Sequence, residues 1–217
     1  MHEYSLSITD YNHYFFTEFF NSDITSYAKL LIYEEEEWIL SEGEPLDRLY
    51  FLKQGKVKLY KDLNVRPRLV KLLGSPALLG EVELFNQQPS MVGIQAIDDC
   101  ACYVVDLKLC KDKLLNDPVF MKKICLSFGN KLETKFDRQL NNHRIGLSCR
   151  LARFIHFTKN KLYFQESLFD VAEYLGVVEA EILKVLNEFE KKGMISRSDQ
   201  GYHIINEGLL LDYTELE

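Results

Sequence analysis

The sequence predicts an α+β chain: an N-terminal β jelly-roll barrel, one long helix, and a C-terminal winged helix-turn-helix. Three observations carry this. Short β-prone runs with regular breaks fill the first half. An apolar repeat of four residues runs through the middle. Two short amphipathic segments joined by a glycine, followed by a hairpin pattern, close the chain. The expected boundaries are 1–115 for the barrel, 116–145 for the helix and 146–217 for the last domain.

In the first half, Tyr50 to Lys61 reads YFLKQGKVKLYK, with Gly55 as a turn. Beyond Gly55, Val57 and Leu59 alternate with Lys56 and Lys58, the period of a half-buried strand. Leu69–Leu73, Gly93–Ile97 and Cys100–Leu107 are further strand candidates, punctuated by Gly74-Ser75-Pro76, Asn86 to Ser90 and Asp98-Asp99. Tyr11 to Phe20 reads as an aromatic-rich helix packed on the barrel.

Asn116-Asp117-Pro118 opens the long helix, with a capping side chain and a first-turn proline. Phe120, Ile124, Phe128, Leu132 and Phe136 follow at intervals of four, with Met121, Cys125 and Leu140 beside them. About 25 residues of helix, to His143, would span about 38 Å. Two adjoining apolar stripes exceed what one barrel face covers, so the helix is expected to pair with a second subunit. Phe120, Met121, Ile124, Cys125, Phe128 and Leu132 are the expected homodimer interface.

From Leu168, Val171, Ala172 and Leu175 hold helical spacing, Gly176 interrupts, and Ile182, Val185, Leu186 and Phe189 resume it. This is the helix-turn-helix pattern. Gly193 ends the second helix after Lys191-Lys192. Ile195–Arg197 and Tyr202–Ile205 are a two-stranded wing around Asp199-Gln200-Gly201. DNA is the expected partner, read by Glu179, Glu181 and Lys184 on the second helix, with Ser167 and Arg197 beside it. Val178 stands where an N-cap acceptor belongs, which costs about 1 kcal/mol. Glu179 and Glu181 offset part of that through the helix dipole, and as acceptors they match cytosine amino groups.

Charge pulls the other way. The chain carries −7, and residues 146–217 hold 8 Lys and Arg against 12 Asp and Glu, a balance of −4. Phosphate neutralisation favours basic domains. Arg138, His143, Arg144, Arg150, Arg153, Lys159 and Lys161 supply local cations ahead of the motif.

Several classes drop out. No basic-then-apolar leader opens the chain, and no apolar run reaches the roughly 18 residues of a membrane span, so a cytoplasmic protein without membrane contact is expected. Histidines stand at 2, 13, 143, 156 and 203, none in the barrel segment, so a cupin-type metal site has no imidazole pair. No nucleophile triad, P-loop or dinucleotide fingerprint occurs, and no catalytic residue, metal ligand or cofactor is expected. Five cysteines lack C-x-x-C spacing. Cys100 and Cys102 share one strand face, and Cys110 and Cys125 are candidates for proximity.

Barrel, long helix and winged helix-turn-helix in that order resemble the CRP/FNR superfamily of bacterial transcription regulators. LLGEVELF (Leu78 to Phe85) resembles its G-E-L-x-L-F cassette. GEVEL, QAIDDC and AEYLGV resemble the YeiL-like branch. The resemblance implies a cyclic-nucleotide-binding-like barrel, a homodimer presenting two recognition helices to successive major grooves, and contact with RNA polymerase. It also implies an effector pocket at Gly80, Glu81, Ser90, Met91 and Val92. In the family's nucleotide binders a glutamate holds the ribose and an arginine about ten residues on pairs with the cyclic phosphate. Glu81 matches the first. No Lys or Arg occurs from Val82 to Leu107, so cAMP and cGMP are not expected as effectors. Two other readings stay open: an interaction module with weak or lost DNA binding, and a thiol or metal sensor with gated DNA binding.

Overall fold

The computed structural model describes residues 2–4, 14–62, 66–86, 88–141 and 145–215. It divides into two compact units, Met1–Glu133 and Thr134–Glu217.

Among the described residues the first unit holds nine strands. They are β1 (His2–Tyr4), β2 (Ala28–Tyr33), β3 (Trp38–Leu40), β4 (Arg48–Gln54), β5 (Lys56–Asp62), β6 (Pro67–Gly74), β7 (Ala77–Leu79), β8 (Gly93–Ala96) and β9 (Cys100–Asp106). They form two antiparallel sheets, in the orders β1-β2-β9-β4-β7 and β3-β8-β5-β6. Helices α1 (Tyr14–Thr17), α2 (Glu81–Asn86), α3 (Leu107–Leu115) and the long α4 (Pro118–Asn141) follow the chain between and after the strands.

The sequence explains the layering. Strands β4 and β9 are apolar at successive positions rather than at alternate ones, because the five-stranded sheet is covered on both faces. Tyr50, Leu52, Cys102 and Val104 face the core between the sheets, with Val57 and Ile94 from the other sheet. Leu49, Phe51, Tyr103 and Val105 face a second core, closed by Phe16 and Phe19, by Leu114 of α3, and by Phe120 and Ile124 of α4. Phe16 stacks on Tyr103 at 4.6 Å between ring centroids and meets Phe51 edge-on at 5.1 Å. Strand β5, by contrast, faces solvent on one side and keeps the expected alternation at its start.

Asp117 explains where α4 begins. Its Oδ1 accepts from the Val119 and Phe120 amides at 2.9 and 3.1 Å, and Oδ2 accepts from the Asn21 and Ser22 amides at 2.8 and 2.9 Å. Pro118 then occupies the first helical position, where no amide is missed. Burial pushes the Asp117 carboxyl upward, but the four amide bonds outweigh it and hold the group below the usual range.

The second unit contains α5 (Leu147–Thr158), β10 (Tyr163–Phe164), α6 (Leu168–Leu175), α7 (Glu179–Lys191), β11 (Ile195–Ser198), β12 (Gly201–Ile204) and α8 (Glu207–Glu215). Its sheet runs β10-β12-β11. The wing therefore has three strands where two were expected: Tyr163 and Phe164 pair with His203 and Tyr202. Two residues are too short a run for a period-2 pattern to show.

Other elements were not legible as such. β1, β2, β3, β7, α3, α5 and α8 had no expectation attached. The aromatic segment 11–20 is helical at Tyr14–Thr17 only, and residues 11–13 lie outside those described. The statement that no histidine belongs to the barrel needs correction, since β1 places His2 in the five-stranded sheet, opposite Ile32. A single edge histidine still offers no imidazole pair.

Candidate nucleic-acid interface and barrel pocket

The helix-turn-helix is built by capping. Ser167 Oγ accepts from the Asp170 amide at 3.1 Å and donates its own proton to Asp170 Oδ2 at 2.7 Å. Its hydroxyl is thus engaged at the helix start. Gly176, at φ 68°, is the left-handed residue that ends α6. Its amide donates to Glu173 O, and that of Val177 to Ala172 O.

Val178 offers no acceptor to α7, and Glu181 closes only the return half of a capping box: its Oε2 accepts from the Val178 amide at 3.3 Å. Glu181 is therefore tied to its own helix start. Ile182, Val185, Leu186 and Phe189 are buried, so α7 turns Glu179, Ala180, Lys184, Asn187, Glu188 and Lys191 outward. Ala180, Lys184, Asn187 and Lys191 lie in one row at helical spacing. Asn187 was not singled out from the sequence, although its place three residues after Lys184 on an amphipathic helix was the signal. Val178, at 64 % exposure, stands beside the row.

The cations ahead of the motif are largely occupied. Arg150 Nη1 donates to Leu175 O at 2.6 Å, and Arg153 Nε to Thr214 O at 2.7 Å. Lys159 pairs with Glu207. Lys161 and Arg197 are exposed, and the Arg197 amide donates to Glu190 Oε1 at 3.0 Å. The Arg138 side chain, His143 and Arg144 lie outside the described residues.

The barrel holds a cavity of about 280 Å³. It brings together all five expected residues: Gly80, Glu81, Ser90, Met91 and Val92. Gly80 sits at φ 89° with Leu46 Cδ1 3.0 Å from where a Cβ would stand. Ser90 Oγ donates to Val92 O at 2.8 Å, and Glu83 Oε1 accepts from the Met91 amide at 3.1 Å. Leucines 40, 59, 73, 78 and 79 with Ile94 make the walls apolar.

Cations also reach this cavity. Lys71 comes from β6 and Lys131 from α4. Both lysines lie outside the cation-free stretch of residues 82–107. Lys131 forms an ion pair with Glu81, itself only 2 % exposed, and donates to Leu78 O at 3.1 Å. A residue 50 positions away, on a different element, leaves no local motif.

On α4, Phe120 and Ile124 are 0 % and 1 % exposed within the first unit's own core, and Met121 and Phe128 pack against it. Phe128 also meets Phe85 edge-on at 6.1 Å. All four were expected at a subunit interface; the barrel's second apolar core takes up Phe120 and Ile124, while Met121 and Phe128 keep part of their surface. Cys125 and Leu132 of the expected set are exposed, together with Leu126 and Phe136. Cys125, Gly129, Leu132 and Phe136 follow spacings of four, three and four, the rhythm of a coiled-coil seam.

All five cysteines are free. Burial pushes the thiols of Cys100 and Cys110 up to about 12 and about 11, and that of Cys102 higher still. Among the described residues no group of three or more His, Cys, Asp or Glu is placed to hold a metal, and no helix is long and apolar enough to cross a membrane.

The comparisons with known proteins agree with this architecture. The family model for the cyclic nucleotide-binding domain matches residues 30–117. The regulatory protein YeiL of Escherichia coli O157:H7 is 31 % identical over 192 residues, 88 % of each chain. The CRP-like cAMP-activated global transcriptional regulator of Mycobacterium tuberculosis is 23 % identical over 172 residues, covering 79 % of this chain and 71 % of that one. Among solved structures, a putative CRP/FNR-family regulator from Eubacterium rectale superposes with a TM-score of 0.69 at 14 % identity, over 89 % of this chain and 92 % of that one. A transcriptional regulator of the same family from Thermus thermophilus gives 0.63 at 20 % identity over 86 % and 98 %. The relatives are regulators rather than enzymes. With two sheets around an apolar cavity, a long helix after the barrel and a winged helix-turn-helix at the end, the chain belongs to the CRP/FNR family of transcription regulators.

Proposed function

We propose that this regulator is a cytoplasmic homodimer that binds DNA through α7 and does not respond to cAMP or cGMP. The observation that carries the reading is the outward row Ala180, Lys184, Asn187 and Lys191 on a helix whose other face is fully packed. Ala180 is small enough for close approach to a base edge, Asn187 offers the paired donor and acceptor that adenine presents, and Lys184 reaches guanine or phosphate. Glu179, at the exposed helix start, accepts from cytosine or repels the backbone. Arg197, on the wing, is a phosphate contact. Dimerisation is assigned to the exposed seam of α4 at Cys125, Gly129, Leu132 and Phe136, not to the buried stripe.

Charge argues against the cyclic nucleotides. Glu81, Glu83, Lys71 and Lys131 bring the cavity to neutrality. A cyclic phosphate on Lys131 would draw it away from Glu81 and leave a buried carboxylate unpaired. The thiol-sensor reading loses support because the cysteines of the barrel strands are buried and protonated, and reactive thiols need thiolate character and access.

Selection of bound sequences from random DNA with the full chain tests the assignment. An enriched, two-fold symmetric operator is expected. Lys184→Ala should weaken binding and lower the salt slope by about one unit. Leu132→Glu should convert a sedimenting dimer to monomer. Absence of any enriched sequence would favour an interaction module, and a monomeric wild type would remove the seam.

A further inference from the structure

We propose that the barrel cavity binds an α-amino acid with an apolar side chain, its carboxylate on Lys131 and its ammonium on Glu81. This rests on reading that cavity as the effector site, and it names the class of ligand. The cavity presents the Glu81 carboxylate and the Lys131 ammonium as one pair, with Glu83 and Lys71 elsewhere on its lining and otherwise apolar walls. Each ligand class can be judged by the charge it would strand. A monoanion, whether a cyclic phosphate or a fatty acid, takes Lys131 and leaves Glu81 buried without its partner. An organic cation takes Glu81 and strands Lys131. A zwitterion inserted between the two replaces one ion pair by two and strands neither.

Size agrees. At about 280 Å³ the cavity lies at the small end of ligand pockets, which run about 300–1,000 Å³. Leu40, Leu59, Leu73 and Ile94 line it and suit an aliphatic, thioether or aromatic side chain. Val82 and Met91, both exposed, stand at its mouth. Other polar groups are already served: Ser90 Oγ donates to Val92 O, Glu83 holds the Met91 amide, and Lys71 is not free. The pair that remains to be opened is the one that ties α4 to the turn after β7, because Lys131 bonds both Glu81 and Leu78 O. Occupancy would change what holds the long helix to the barrel.

Titration calorimetry on the full-length protein tests this. L-leucine, L-methionine and L-phenylalanine are the probes, with 4-methylpentanoate and 3-methylbutylamine as leucine without its ammonium or without its carboxylate. At least one amino acid should bind with a Kd below about 1 mM. For leucine, both truncated analogues should bind at least tenfold more weakly. The double variant Glu81→Gln/Lys131→Met, which leaves no stranded charge, should keep its thermal midpoint and lose saturable binding. The inference is overturned if none of the three amino acids binds below about 1 mM, if either analogue matches leucine within tenfold, or if the double variant binds as wild type does. Operator binding by the ligand-free protein is scored separately. If it persists while the amino acids fail, the ligand class is wrong and the DNA assignment stands. If cAMP binds instead, both readings of the cavity fall.

Discussion

The barrel cavity and the outward face of α7 differ in how far their residues travel along the chain. The cavity draws on positions from Leu40 to Lys131, spread over both sheets, two helices and the loops beside them. The outward face of α7 lies within thirteen consecutive residues. A helix face follows from its period alone, so the sequence shows it without any knowledge of tertiary structure. A cavity wall is a product of topology, and its chemistry changes when one distant residue arrives.

Three variants sharpen that contrast. Lys131→Met should have the largest effect, because it leaves the Glu81 carboxylate buried without its cation. Breaking a fully buried pair costs about 3–5 kcal/mol, and Lys131 retains some solvent contact, so about 2 kcal/mol is expected from urea unfolding. The companion change Glu81→Gln in the same chain should recover most of it. A cost no greater than that of a surface lysine would mean the distant partner matters little and the contrast is overstated.

Asp117→Ala comes next, at about 1–2 kcal/mol, since it removes one helix cap and unpairs amides on a second segment. Its pH dependence has a definite sign. The folded-state carboxyl lies below its unfolded value, so its stabilisation is complete above that unfolded value, near pH 3.9, and fades as pH falls through the folded one. The gap between wild type and variant should therefore be constant near neutrality and close in acid. A gap that widens in acid would contradict the four-amide arrangement.

Val178→Ser is the smallest and tests the local end of the comparison. Serine would supply the acceptor that α7 lacks, stabilising the second unit by about 0.5–1 kcal/mol in thermal unfolding. A neutral result would show that solvent already serves the α7 amides Val178 leaves open, since Glu181 bonds only the Val178 amide.

How much the sequence disclosed follows the same division. Ser167, Gly176 and Gly193 marked helix ends through chemistry that acts over one turn, and the structure puts a cap or a left-handed residue at each. Glu81 was placed by a cassette of adjacent residues and Ser90 to Val92 by their distance from it, and they do line the cavity. Lys71 and Lys131 carried no such mark. Phe120 and Ile124 show the converse failure. Their four-residue repeat correctly announced a buried stripe, but periodicity does not say what covers it, and the barrel's outer core does so. The doubly covered β4 and β9 read only as apolar runs, because burial on both faces erases the period of two. Helix α8 passed unnoticed since only Leu210 is buried on it, too little to impose a stripe.

Asp117 has a consequence for the order in which the chain assembles. Its Oδ1 bonds reach two and three residues ahead and form with the first turn of the helix. Its Oδ2 bonds reach back across 96 and 95 residues, and so close a loop that encloses nearly all of the barrel. The entropy of such a closure grows only with the logarithm of loop length, but it must be met before the contacts it brings can compensate. One carboxylate thus joins a fast local event to a slow global one. The start of the long helix can nucleate early, and it becomes fully anchored only when the strands between Ser22 and Asp117 have found their partners.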